Sequence, residues 1–357
     1  MQPLRSVITA TGSFIPPVRV SNEAFGDRDF RTADGAKLPK SNQEILQQFE
    51  AITGIRERRY VSDDLVASDI AYQAAKDALD SSKLDPEQLD YIIVAHNFGD
   101  VRPGGRSDLV PALAARVKAK LRIRRPQTVA FDLVFGCPGW LQGVITADAF
   151  IQSGNAKRVM VIGAETLSRV SDPHDRDSMI YSDGAGATVV EALETDEPVG
   201  ILAHAARSDT LEHSSMLLMG PSYHRELLLE SIFLKMEGRK LYRYALQTVA
   251  GSMKQCLDEA RIPIGDLKKI LLHQANGKMD DAILTAFYDL FGTPPPPGIM
   301  PMTISWLGNS SVATLPTLLD LIVKGRLEDQ MLNKGDVALF GSVGAGMHIN
   351  AVAYRMP

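Results

Sequence analysis

Along residues 70–95 (IAYQAAKDALDSSKLDPEQLDYIIVA) apolar positions first recur at helical spacing, then pass through a Pro-containing turn, then run together as YIIVA. That order predicts an amphipathic helix, a turn and a buried strand. Residues 248–273 (TVAGSMKQCLDEARIPIGDLKKILLH) repeat the order without a gap at a spacing of 178. Leu79 falls on Leu257, Asp80 on Asp258, Leu84 on Ile262, Leu89 on Leu267, and Ile92–Val94 on Ile270–Leu272. The same offset lays VMVIGA (159–164) over VALFGS (337–342). Two separated segments with one offset, close to half the chain length, point to an internal duplication. The alternation of helix and strand in each half predicts an α/β fold of two related halves, each a mostly parallel sheet flanked by helices. We expect the halves, 1–190 and 191–357, to meet around the acidic stretch EALETDEP. Two insertions, 22–60 and 97–127, interrupt the pattern, and TPPPPG at 293–298 reads as a stiff surface loop.

Composition narrows the class. The chain has 357 residues, enough for a large core, and a net charge of −5, which argues against broad nucleic-acid binding. Its two cysteines make no disulfide framework or zinc spacing. Its longest apolar runs are strand-length, too short to span a membrane, and the N-terminus lacks a signal-peptide layout. A soluble, cytoplasmic protein is the expectation.

One of the two cysteines stands out. Cys137 lies in GCPGW, between the apolar run VAFDLVF and a helix-like run. Pro138 suits the first turn of a helix, and a thiol at a helix N-terminus feels a positive potential that favours thiolate. An inert buried cysteine fits the turn alone equally well, and Cys256, inside MKQCLDEA, is read that way. In LLHQAN an apolar strand ends at His273, with Asn276 three residues on. Ligands gather beyond the carboxyl ends of parallel strands, so His273 is a candidate, although a lone histidine also satisfies local backbone. Asn309, in WLGNSSVATLP, follows a glycine and precedes a helix, where an N-cap role needs no chemistry. Together the three supply a thiol nucleophile, an imidazole and a neutral amide donor. GSVGAG (341–346) is a glycine-rich loop able to turn N–H groups toward an oxyanion.

The stretches TGIRERR (53–59), DLVFGCPGW (132–140), SDPHDRDSMIYSDGAGATVV (171–190), LKMEG (234–238), HQAN (273–276), GNSSVATLP (308–316) and GSVGAG run in order over nearly the whole chain. In them the sequence resembles the thiolase superfamily, and within it the β-ketoacyl-ACP synthase III-like condensing enzymes. The resemblance implies a duplicated, layered α/β sandwich, usually a homodimer. It implies that Cys137 is acylated and that His273 and Asn309 bind the second thioester and stabilise its enolate. The N–H of Cys137, with one from Gly344, Ala345 or Gly346, would form the oxyanion hole, while Asn276 supports the His273 turn. No cofactor is implied beyond pantetheine-linked acyl substrates on acyl carrier protein (ACP) or CoA.

Departures from the family pattern bear on substrate. Gln48 and Ile52 stand where CoA-primed members carry a Trp and an Arg, whereas Arg176 matches a further CoA-contacting Arg. An acyl donor on a carrier protein is therefore expected, with Arg243 and Lys278 matching basic positions that receive it. GCPGW replaces the commoner Ala-Cys-Ala-Gly-Phe, which together with the altered 97–127 insertion leaves chain length open. The leading expectation is decarboxylative Claisen condensation with malonyl-ACP in fatty acid or polyketide-type biosynthesis. The alternatives are non-decarboxylative joining of two longer acyl or β-ketoacyl thioesters, as in dialkylresorcinol or olefin pathways, and acyl transfer to oxygen or nitrogen.

Overall fold

The computed structural model describes residues 2–226 and 231–357. The first half runs β1 (Leu4–Phe14), β2 (Val18–Ser21), α1 (Asn42–Thr53), β3 (Glu57–Tyr60), α2 (Ala67–Ser82) and β4 (Tyr91–His96). It continues through α3 (Leu113–Lys120), β5 (Val129–Val134), α4 (Gly139–Gln152), β6 (Arg158–Thr166) and β7 (Asp183–Glu194). The second half opens with β8 (Gly200–Ser208), α5 (Thr210–His213), β9 (Leu217–Pro221), β10 (Ile232–Met236) and α6 (Gly238–Glu259). There follow β11 (Leu267–Leu272), α7 (Gly277–Asp289), α8 (Ile304–Leu307), α9 (Thr314–Val323), β12 (Val337–Gly344) and β13 (His348–Arg355).

Two sheets carry the duplication. The first has the order β1-β7-β6-β4-β5 and the second the order β8-β13-β12-β11. Directions correspond as well: β1–β7 and β8–β13 are antiparallel, as are β7–β6 and β13–β12, while β6–β4 and β12–β11 are parallel. The short 3-10 turns at Pro86–Gln88 and Ile264–Asp266 keep the sequence offset. Within these two sheets, among the described residues, only the fifth strand, β5, lacks a counterpart. On the free side of β11 the N–H of Ile270 donates to Ile299, directly after the exposed proline run; prolines have no N–H for a ladder there.

Helices α4 and α9 lie between the sheets, where Trp140, Val144, Leu318 and Leu319 pack against Val161, Val190, Phe340 and Tyr354. Every residue of α9 from Thr314 to Ile322 is buried, as expected of a helix apolar all round. Helices α2 and α3 cover the outer face of the first sheet, and α6 and α7 that of the second. The layering is thus α–β–α–β–α.

The 22–60 insertion is fastened by Arg58 of the TGIRERR stretch. This fully buried guanidinium donates to the carbonyls of Met179 and Val20 and to Asn22 Oδ1, and it lies over the rings of Phe25 and Phe49. Its helix α1 begins with a Ser41–Glu44 capping box and ends at Gly54 in the left-handed region, φ 72°. Among the described residues no helix is long and apolar enough to cross a membrane.

Candidate active site

The chain leaves β5 at Val134 and turns through Gly136 at φ 67°. A Cβ on Gly136 would lie 2.7 Å from Ala345 N, and one on Gly344 would lie 2.4 Å from Cys137 N. The cysteine turn therefore sits directly on the glycine-rich loop of the other half, a contact only bare backbone permits. Gly344→Ala is expected to displace this turn. Acyl loading of Cys137, followed by intact mass, should then fall by roughly 100-fold, the usual cost of about 1 Å of misplacement.

Two expectations about Cys137 need correction. Helix α4 begins at Gly139 with Pro138 as its cap residue, so Pro138 precedes the first turn instead of occupying it. More importantly, burial pushes the Cys137 thiol up to about 11; the Ser311 hydrogen bond opposes this, and the charge of Glu165 adds to it. At rest the group is a thiol. Desolvation of the charged form sets that direction.

His273 follows β11, its N–H donating to Gly341 of β12. Burial holds its imidazole down at about 4, so it is neutral at physiological pH. Its Nδ1 is walled in without a partner, which leaves Nε2 for the cavity. Gln274 beside it, which sequence reading passed over, is fully buried. It accepts from the N–H groups of Thr303 and Ile304 at 2.8 Å each and donates to Pro301 at 2.9 Å, tying the His273 turn to the segment that leads to Asn309. Asn276 caps α7, its Oδ1 accepting from Met279 N–H.

Asn309 is not the N-cap of a helix. Its Oδ1 accepts from Ser311 N–H at 2.8 Å in a tight turn, and α9 starts only at Thr314. With Oδ1 engaged, its Nδ2 donor is the group left to serve the cavity. Ser311 in turn donates through Oγ to Cys137 Sγ at 3.3 Å.

Cys137, His273, Asn276, Asn309, Ser311 and Ala345 all line one cavity of about 1040 Å³. Arg176 and Arg243 line it too. Three other candidates stand off its wall: Gly344 beneath the Cys137 backbone, Gly346 against His348, and Lys278 exposed at the start of α7. The cavity also has apolar lining. Leu217, Leu218 and Met219 of β9, Leu234 and Met236 of β10, and Leu241 of α6 face Ile45, Phe49 and Ile52 of α1. Asn97 and Tyr181 line it as well. Asn97 immediately follows a parallel strand, the signal that could have found it. His96 is turned away, its Nε2 3.0 Å from Asp132 and its Nδ1 accepting from Gly99.

A cysteine turn and a histidine turn brought together from two like halves are the arrangement of a thiolase-fold condensing enzyme, and comparison with known proteins gives the family. Residues 131–210 match the model of 3-oxoacyl-[acyl-carrier-protein (ACP)] synthase III, and residues 257–356 match the model of its C-terminal part. The β-ketoacyl-[acyl-carrier-protein] synthase III of Erythrobacter litoralis (strain HTCC2594) is 32% identical over 99% of both chains. The crystal structure of 3-oxoacyl-[acyl-carrier-protein] synthase III from Aquifex aeolicus VF5 superposes with a TM-score of 0.78 at 28% identity, covering 98% of this chain and 99% of that one. The priming β-ketosynthase of the R1128 polyketide pathway superposes with a TM-score of 0.80 at 25% identity, covering 100% and 98%. The chain belongs to the 3-oxoacyl-[acyl-carrier-protein] synthase III family of condensing enzymes.

Proposed function

We propose that this enzyme loads an acyl group longer than acetyl onto Cys137 and extends it by Claisen condensation with a malonyl thioester on acyl carrier protein. In loading, Sγ attacks the carbonyl carbon of the incoming thioester, and the thiol proton leaves with the departing pantetheine sulfur. In condensation, Nε2 of His273 and Nδ2 of Asn309 donate to the carbonyl oxygen of the malonyl thioester. Loss of carbon dioxide leaves an enolate whose carbon attacks the acyl-Cys137 carbonyl. The N–H of Cys137 and one from the Gly344–Gly346 loop receive the oxyanion. Collapse releases the β-ketoacyl thioester and returns the Cys137 thiolate, which burial makes strongly basic and quick to take a proton.

The observation that carries this reading is the single cavity shared by Cys137, His273 and Asn309, whose lining also includes apolar residues of β9, β10 and α1. At about 1040 Å³ it stands at the top of the usual range for small-molecule sites. That volume also favours a second reading, in which a β-ketoacyl thioester replaces malonyl and no carbon dioxide is lost. Pantetheine-linked substrates suffice for either reaction. Arg176, Arg239, Arg243 and Lys278 are exposed cations at or beside the mouth, suited to an acidic carrier protein. Strand β5 is an open sheet edge, with Val129 and Val134 exposed and Leu109 and Val110 also uncovered. Such an edge calls for a partner, and we assign it to a second copy of the chain.

The test is acyl loading of Cys137 by intact mass across chain lengths, from CoA and from carrier protein, followed by the second substrate. Carbon dioxide with a β-ketoacyl product supports decarboxylative condensation. A carbon–carbon product from a β-ketoacyl thioester without carbon dioxide supports the second reading. A new ester or amide overturns both.

A further inference from the structure

Behind the nucleophile lies a hydrogen-bonded chain that the condensation steps above do not use. Glu165, in β6, is buried. Its Oε1 accepts from the backbone N–H of Asn97 and from Asn97 Nδ2, the latter at 3.2 Å. The same Nδ2 lies 3.3 Å from Ser311 Oγ, and Ser311 Oγ donates to Cys137 Sγ at 3.3 Å. With a lone pair of Ser311 taken by Asn97, the hydroxyl hydrogen is directed at sulfur. The backbone of Ser311 is fixed as well, its N–H donating to Asn309 Oδ1.

We propose that Glu165 is a positioning residue that governs ionisation of the Cys137 thiol, holding the Ser311 donor in place through Asn97 while its own charge opposes formation of the thiolate. An amide N–H donates but does not hand on a proton, so the chain transmits orientation and charge and no proton travels along it. The inference rests on Cys137 being the acylated residue. The Glu165 charge adds to the burial that keeps the sulfur a thiol at rest, and Ser311 is a ready donor once the sulfur departs as thiolate.

The groups around Glu165 are few enough to predict the pH dependence. Asn97 and His96 face it from the β4 side, Asp183 from β7, Ser311 through Asn97, and Cys137 from its turn. Asp183 is itself held by the Ser168 and Val61 N–H groups. Burial raises Glu165 to about 7, with the His96 and Asn97 contacts opposing and Asp183 adding to the rise. Below that pH Glu165 is neutral and the thiol ionises more readily; above it the carboxylate is charged and the thiol ionises less readily.

The experiment is alkylation of Cys137 by iodoacetamide, which transfers no acyl group, followed by peptide mass from about pH 6 to about pH 9. In the wild type the logarithm of the rate should climb with pH, flatten across about 7 as Glu165 ionises, and climb again. Glu165→Gln keeps an acceptor for Asn97 but removes the charge. It should give one straight line lying roughly threefold to tenfold above the wild type on the alkaline side. Ser311→Ala should lie below the wild type by a similar factor, having lost the donor. Loss of packing would move both variants the same way, so displacement in one direction overturns the proposal. Retention of the flattening in Glu165→Gln overturns it as well. Failure of condensation would leave these profiles unchanged, so the two readings fail separately.

Discussion

Cys137→Ala is expected to abolish acyl loading and lower condensation by roughly 10³-fold or more, on the scale seen when a nucleophile is removed. The mechanism has no substitute for the sulfur. Cys256 is fully buried on α6, its Sγ against the carbonyl of Ala203, and burial pushes its thiol up to about 12. Stability should change little, because Cys137 contributes one long hydrogen bond from Ser311 and its turn is held by the Gly136 and Gly344 backbone contacts. Intact mass after incubation with acyl thioesters reads the first effect and thermal melting the second. An adduct that persists in Cys137→Ala would remove the basis of the proposed function.

The second large effect separates the two half-reactions. His273→Ala and Asn309→Ala should each slow condensation of preloaded acyl-Cys137 by roughly 10²- to 10³-fold, the usual cost of one donor aimed at a developing oxyanion. Loading should respond differently in the two. The mechanism gives His273 no part in the loading step, and its loss should leave loading near wild type. Asn309→Ala also strips Ser311 N–H of its acceptor and should slow loading severalfold, by about the worth of one hydrogen bond. The pH dependence follows from the imidazole. Burial lowers His273 to about 4, so the imidazole is neutral above that pH and takes up a charge only as the pH falls through it. A single-turnover profile of condensation should therefore show no histidine inflection between about pH 6 and pH 7, where an ordinary imidazole titrates. An inflection there that disappears in His273→Ala would mean a charged imidazole, and a different role for it.

Parts of the site are legible because they are local. A strand, a glycine-bounded turn and a helix announce themselves in GCPGW and its flanks, and HQAN and GNSS lie at strand and turn boundaries. Gln274 and Ser311 lie inside those same stretches, yet their work is done across chain separations of 29 and 174 residues, on Thr303 and Cys137. Asn97 and Glu165 meet because β4 and β6 are parallel neighbours, a pairing the repeat suggests but does not specify. The apolar side of the cavity is harder still. Its antiparallel β9–β10 pair lies outside the two matching sheets, and it is held in place by Lys235, whose Nζ reaches Asp172 at 2.5 Å and Asp175 at 3.2 Å.

By itself the amino-acid order determined the duplication, the α/β class and the three turns that bear sulfur, imidazole and carboxamide, since each depends on periodicity or spacing over a few dozen residues. Tertiary structure alone decided that these turns share one cavity, how much apolar space adjoins them, and the protonation of Cys137, Glu165 and His273. Those properties depend on which groups lose water together, and desolvation is set by neighbours distant in the chain.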